Sequence, residues 1–202
     1  MKIPHHTQGV IEYVPRDFQK AVEDCVTDIV CLMSDRQMGV TTCLAVYVIN
    51  ALITAPWLKI GVISLRTSLL QMIKDITDLN NIQINLNNIE KPKSDTKSDT
   101  KYDIIVVDDL EFIKLDIESL IFNKSFRYLV VASSGQQNGL MHKVNNILEG
   151  STLSYQQIIT RYISNDVTPA LIFETDMNWK IESDLKKSYS VEQFKREYMC
   201  NW

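Results

Sequence analysis

Residues 27–42 read T-D-I-V-C-L-M-S-D-R-Q-M-G-V-T-T, from Thr27 to Thr42. The apolar run Ile29, Val30, Cys31, Leu32, Met33 has the composition of a strand buried on both faces. It breaks into a polar loop that closes on Gly39, Thr41 and Thr42, and an apolar helix-like segment follows at once. Strand, glycine-bearing loop, paired threonines and helix is the layout of a phosphate-binding loop. There, backbone N–H groups and a helix N-terminus together attract an anion. Against the pattern G-x-x-x-x-G-K-[ST], the second glycine is Gly39 and the hydroxyl residue is Thr41. Ser34 stands at the first glycine and Val40 at the lysine, which leaves Arg36 as the cation inside the loop.

A second stretch reinforces the first. Residues 101–113 read K-Y-D-I-I-V-V-D-D-L-E-F-I, in which four β-branched apolar residues run into Asp108 and Asp109. A buried parallel strand with a carboxylate at its C-terminal end is what a phosphate-loop fold needs to hold Mg²⁺ beside the loop threonine. A second acid there is placed to orient an attacking water.

In this order the motifs resemble the ATPase domain of the large terminase subunit of tailed phages, the motor that packages viral DNA. R-D-F-Q at Arg16–Gln19 looks like the entry segment of that family, and D-R-Q-M-G-V-T-T looks like its arginine-containing Walker A variant. D-I-I-V-V-D-D-L-E-F-I looks like its Walker B segment, and F-R-Y-L-V-V-A-S-S-G-Q-Q-N-G-L at Phe126–Leu140 like its coupling strand and polar loop. V-E-Q-F-K-R-E-Y at Val191–Tyr198 is similar to its closing helix, so the likeness runs from about residue 10 to the end.

The resemblance implies ATP and Mg²⁺ as cofactors. Gln19 would contact adenine; Ser34, Arg36, Gln37, Gly39, Thr41 and Thr42 would cradle the phosphates; Thr41 and Asp108 would hold Mg²⁺. Asp109 falls at the position of the catalytic glutamate, Arg36 takes over from the lysine, and Asn138 lies in the loop that senses the γ-phosphate. It further implies double-stranded DNA, a portal, a small terminase and a separate nuclease as partners, leaves room for a homo-oligomer, and places the protein in the cytoplasm of a host cell.

Composition agrees with one globular unit. The chain has 202 residues, 45% of them hydrophobic, enough for a sizeable core. No apolar run is long enough to span a bilayer, and the start M-K-I-P-H-H is not a signal peptide. The cysteines Cys25, Cys31, Cys43 and Cys200 lack metal-ligand spacing and read as reduced thiols. A net charge of −4 provides no global attraction to nucleic acid, so any DNA contact has to be local or shared among subunits.

The remaining segments complete an α/β reading: a mostly parallel sheet of the P-loop NTPase type with helices on both faces. Residues 1–15 are expected as an extended N-terminal arm and 16–202 as a single domain. Arg16–Val26 is a helix with Phe18, Ala21, Val22 and Cys25 on its buried face, and Gln19 is its solvent-facing residue unless it contacts adenine. Residues 42–55 form a helix ended by Pro56, Leu58–Leu65 a buried strand, and Ser68–Leu79 a helix capped by Thr67 or Ser68. The alternation Ile82, Ile84, Leu86, and then Ile89, suggests a short edge strand, and the lysine-rich repeat within 87–101 a flexible surface loop. Further on come a short helix at Ile117–Phe122, a strand at Tyr128–Ala132, a helix at Leu140–Leu148, strands near Tyr155–Tyr162 and Ala170–Glu174, and a surface helix at Asp184–Tyr198. No set of clustered acids suits the two metals of a nuclease, so no nuclease domain is expected.

The departures from the family pattern weaken the chemistry. Valine cannot stabilise charge on a transferring phosphoryl group, no arginine lies between Arg66 and Arg127, and Asp109 is a methylene shorter than glutamate. Three readings follow: a terminase-like motor ATPase with slow hydrolysis; a catalytically degenerate relative acting as a regulatory or structural interaction module; and a nucleic-acid-binding module that works without ATP.

Overall fold

The computed structural model describes residues 1–5, 8–25, 27–34, 39–64, 68–91, 101–110 and 126–133, together with 144, 146–147 and 155–160. Its centre is a six-stranded sheet. The strands are Ile29–Ser34 (β3), Ile60–Ser64 (β4), Ile89–Glu90 (β5), Tyr102–Asp108 (β6), Phe126–Ser133 (β7) and Tyr155–Thr160 (β8). Their order is β5-β4-β6-β7-β3-β8, and every pairing is parallel. The apolar runs lie in the middle of the sheet because a parallel strand is covered on both faces. All six residues of β3 are buried, as are Ile104–Asp108 of β6.

Side-chain alternation divides the core in two. Val30, Leu32, Ile60, Val62, Ile104, Val106, Val130 and Ala132 face one way, and they pack with Asp17–Glu23 (α1), Val40–Thr54 (α2) and Ser68–Asn80 (α3). The alternate residues Ile29, Cys31, Met33, Ile63, Ile105, Val107 and Leu129 point to the opposite face and are equally buried. α2 is apolar on nearly every side because it lies between α1 and α3 as well as on the sheet. α3 has one apolar stripe, Leu69, Ile73 and Ile76, and its polar side carries Gln71 bonded to Asp75 one turn later. No described helix is long and apolar enough to cross a membrane.

Two segments depart from expectation. Residues 1–15 do not form an extended arm: Lys2–His5 (β1) pairs antiparallel with Gly9–Glu12 (β2). The Asn80 side chain, at the end of α3, then bonds both backbone groups of Lys2 at 2.7 Å, as a neighbouring strand would. The alternation across Ile82, Ile84 and Leu86 does not make a strand. Asn85 bends the chain into a 3₁₀ turn, Leu86–Asn88, by accepting the Asn87 backbone N–H, and only Ile89–Glu90 joins the sheet edge.

Other expectations hold. α1 covers 17–23, α2 and α3 match their segments to within a residue or two, and β7 and β8 lie where strands were expected. Among the described residues Cys25, Cys31 and Cys43 form no disulfide, and burial pushes the Cys31 thiol up to about 12, which keeps it protonated and unreactive. Of the loop expected at 87–101, Ile89–Glu90 is instead strand β5 and 92–100 lie outside the described residues, as do the helix at Ile117–Phe122, the strand at Ala170–Glu174 and the closing helix. The helix expected at 140–148 is described only at 144, 146 and 147, which are helical.

Candidate functional site at the carboxyl edge of the sheet

In strand order the chain goes from β3 back past β7 to β4, and from β7 past β3 to β8, so the direction of travel reverses at this neighbouring pair. In an open α/β sheet, ligands sit beyond the carboxyl ends of the strands where the strand order reverses. β3 ends there in Ser34, which is buried. Residues 35–38, including Arg36 and Gln37, lie outside the described residues.

The chain re-enters at Gly39 with φ +80°, a left-handed conformation that costs a side-chain-bearing residue about 1–2 kcal/mol. Gly39 is the N-cap of α2, and its carbonyl accepts the Cys43 backbone N–H at 2.9 Å. It also accepts the Nε2–H of Gln19 at 3.2 Å, so both of its lone pairs are in use. A Cβ added at Gly39 would lie 3.3 Å from that same nitrogen. Gly39→Ala is therefore expected to lower unfolding stability by about 1–2 kcal/mol in urea. A smaller loss would show that the loop relaxes.

No acidic side chain stands in the first turn of α2, and its cap has no side chain to offer. The N–H groups of that turn thus have no capping side chain and carry the positive end of a fifteen-residue helix dipole. Thr41 and Thr42 are half-buried in this turn. Val40 is half-buried and packs against the core, so the position where the motif has lysine faces apolar contacts.

β6 brings the acids. Asp108 is only 2% exposed and accepts the Thr41 hydroxyl on Oδ2 at 2.9 Å, joining residues 67 positions apart. Burial, and secondly the neighbouring Asp109 carboxylate, push the Asp108 carboxyl up to about 7, against the opposing pull of the Thr41 and Asp109 N–H hydrogen bonds. Asp109 itself has φ +59°, the left-handed conformation that Asp tolerates better than most residues. The strand stops at this turn, and Asp109 stays half-exposed beside Asp108. Ser64 of β4 is the register neighbour of Asp108.

The donor set fits Mg²⁺. A hydroxyl oxygen and a carboxylate oxygen lie side by side with a second carboxylate next in sequence. Among the described residues no Lys, Arg or His is ion-paired with either acid. Nor do those residues contain a group of three or more His, Cys, Asp or Glu suited to a metal. A hard cation that keeps its waters and shares a phosphate, as Mg²⁺ does, needs no larger protein cage.

Of the residues picked from sequence, Ser34, Gly39, Thr41, Thr42, Asp108 and Asp109 thus come to one edge, with Gln19 reaching the same loop from α1. Arg36, Gln37 and Asn138 lie outside the described residues. Two features escaped the sequence reading. Gln19 is buried, not solvent-facing, and bonds to Gly39. Ser64 was read only as strand; its place at a strand end was the available signal.

These elements define a P-loop NTPase-type α/β fold, and it is the fold of phage large-terminase ATPase domains. The chain aligns with the HK97 bacteriophage large terminase at a TM-score of 0.63 and 12% identity, covering 99% of this chain and 52% of that one. It aligns with the ATPase domain of the Thermus phage P74-26 large terminase at a TM-score of 0.54 and 12% identity, and with a mutant of that domain at 0.57 and 10%. Both of the latter alignments cover 92% of this chain and 93% of the other. No protein-family model matches the chain, and no curated protein matches it.

Proposed function

We propose that this chain is a terminase-like, P-loop nucleotide-binding protein that takes ATP with Mg²⁺ at the carboxyl edge of β3 and β6 and acts in viral DNA packaging or translocation. The observation that carries this reading is the 2.9 Å bond between Thr41 and Asp108, which joins the helix after the loop to the end of the acidic strand. In P-loop enzymes these two side chains share the metal.

In this reading Ser34, Arg36, Gln37, Gly39, Thr41 and Thr42 would cradle the phosphates, Thr41 and Asp108 would hold the metal, and Asp109 would orient water. Asn138 senses the terminal phosphate. Bound Mg²⁺ would neutralise charge on the phosphate oxygens. Thr41 and Asp108 fix its place, and Arg36 supplies the cation that Val40 cannot. The likeness to terminases extends the reading to double-stranded DNA, a portal, a small terminase and a separate nuclease as partners in a host cytoplasm.

Val40 favours slow hydrolysis within this reading. Its side chain packs on the core, and the loss of one preorganised charge-stabilising group costs about two to three powers of ten in rate. A regulatory interaction module that binds nucleotide with little turnover is the second reading that this observation supports.

The test is a titration of a fluorescent ATP analogue with Mg²⁺. The native protein is expected to bind at micromolar Kd, and Thr41→Ala about tenfold more weakly, as loss of one charge-assisted hydrogen bond predicts. Arg36→Ala is expected to lose binding. A native protein that binds nothing at millimolar analogue refutes the reading.

A further inference from the structure

Gln19 sits in α1 and is 4% exposed, one of four buried polar or charged residues among those described. Its Oε1 accepts the Arg16 backbone N–H at 2.9 Å, and its Nε2 donates to the Gly39 carbonyl at 3.2 Å. A backbone N–H can only donate and a carbonyl can only accept, so the amide fits one way round. Both ends are thus engaged within the chain, one fastening the start of α1 and the other reaching a residue 20 positions away. The carbonyl it reaches is the one that also closes the first turn of α2 through Cys43. The Gln19 nitrogen further lies where a Cβ on Gly39 would intrude, so amide and glycine are fitted to each other. Phe18 and Val22, both 0% exposed, hold α1 in place behind it.

We propose that Gln19 is a positioning residue of the phosphate site: it pins Gly39, and with it the first N–H groups of α2, and does not select the nucleobase. This inference rests on the nucleotide reading above. Its consequence is that Gln19 contributes equally to the affinity for ATP, for GTP and for a polyphosphate without a base. The buried amide has little reach beyond the two backbone groups it serves.

The test uses a probe without a base. Mg²⁺–tripolyphosphate, ATP and GTP each displace the fluorescent analogue from the native protein and from Gln19→Ala and Gln19→Glu. With Gln19→Ala all three are expected to weaken by the same factor, about tenfold, because loop geometry is what is lost. A drop for ATP alone, with tripolyphosphate unchanged, assigns Gln19 to adenine and overturns the proposal.

Gln19→Glu separates positioning from packing. Its carboxylate still accepts from Arg16 but places an acceptor against the Gly39 carbonyl, whereas the protonated acid can donate to it. Affinity relative to the native protein should therefore recover as pH falls from 8 to 5.5. A flat ratio overturns the proposal.

Amide hydrogen exchange in the ligand-free protein reports on the link independently of nucleotide. Residues 39–43 should exchange faster in Gln19→Ala, while α3 serves as the control for an intact fold. Unchanged exchange at 39–43 overturns the proposal. Faster exchange in a protein whose native form takes up no polyphosphate overturns the nucleotide reading and leaves the Gln19–Gly39 link standing.

Discussion

Replacing Asp108 with asparagine is expected to weaken Mg²⁺-dependent nucleotide binding by about a hundredfold or more while stabilising the ligand-free protein at pH 8. The two effects have one cause. Asp108 is 2% exposed, and burial together with the adjacent Asp109 pushes its carboxyl from an ordinary 3.8 up to about 7. The folded protein therefore holds this proton to a higher pH than the unfolded chain does. Between about pH 4 and 7 the folded state binds more protons, so stability falls as pH rises through that window.

The contribution is fully present below pH 3.8 and gone above about 7; a shift of that size corresponds to roughly 4 kcal/mol as an order of magnitude. Asparagine keeps an acceptor for the Thr41 hydroxyl and carries no charge, so the pH dependence should flatten. Urea unfolding of both proteins at pH 5 and pH 8 decides this. A native stability that rises with pH as steeply as that of the variant would sink it.

A bound cation reverses the local electrostatics, because a metal ligand must be deprotonated. Nucleotide binding with Mg²⁺ should accordingly release a proton and weaken below about pH 7. The amide introduced by Asp108→Asn cannot supply the anionic oxygen, so the variant should show the same weak affinity with Mg²⁺ as with EDTA. The carboxylate that destabilises the ligand-free fold is the group that the metal would require, which is the common relation between a functional site and its scaffold.

How much of this was legible in the sequence depended on the kind of signal. The two strands that organise the sheet, Ile29–Ser34 and Tyr102–Asp108, were readable because a parallel central strand permits no polar interruption. Asp108 was read as the acid that ends the second strand, and Thr41 from the loop pattern that follows the first; the structure places the two side chains in contact. The N-terminal hairpin was not readable. Each strand has four residues, and what holds the first in place is Asn80, 78 positions away.

The asparagine-rich stretch after α3 misled by its alternation. The Asn85 side chain accepts from the Asn87 backbone N–H and donates to Asn88 Oδ1, and Asn88 donates in turn to the distant Pro56 carbonyl, so the turn prevails over the period-two pattern. The left-handed turn at Asp109 left only the weak signal of an Asp after a strand. Gln19 looked solvent-facing because helical spacing assigns faces by hydropathy. A glutamine with two backbone partners breaks that rule, since a buried amide costs little once both ends are satisfied.

The residue beside it has the largest expected effect on the fold. Phe18→Ala should cost about 3–5 kcal/mol, a large share of the roughly 5–15 kcal/mol by which a typical domain is stable. Phe18 is 0% exposed and belongs to the core shared by α1, α2, α3 and the sheet. α1 has only seven residues, too few to stand as a helix alone, so its order derives from this burial and from contacts to α2 and β8. Removing the ring leaves a cavity that a short helix can fill only by shifting, and a shift carries Gln19 away from Gly39. Stability and phosphate affinity should therefore fall together in Phe18→Ala. Phe18→Leu, which keeps most of the volume, should retain most of both. Urea unfolding alongside tripolyphosphate displacement measures the pair, and a Phe18→Ala protein that loses stability yet keeps native affinity would show that α1 does not hold the loop.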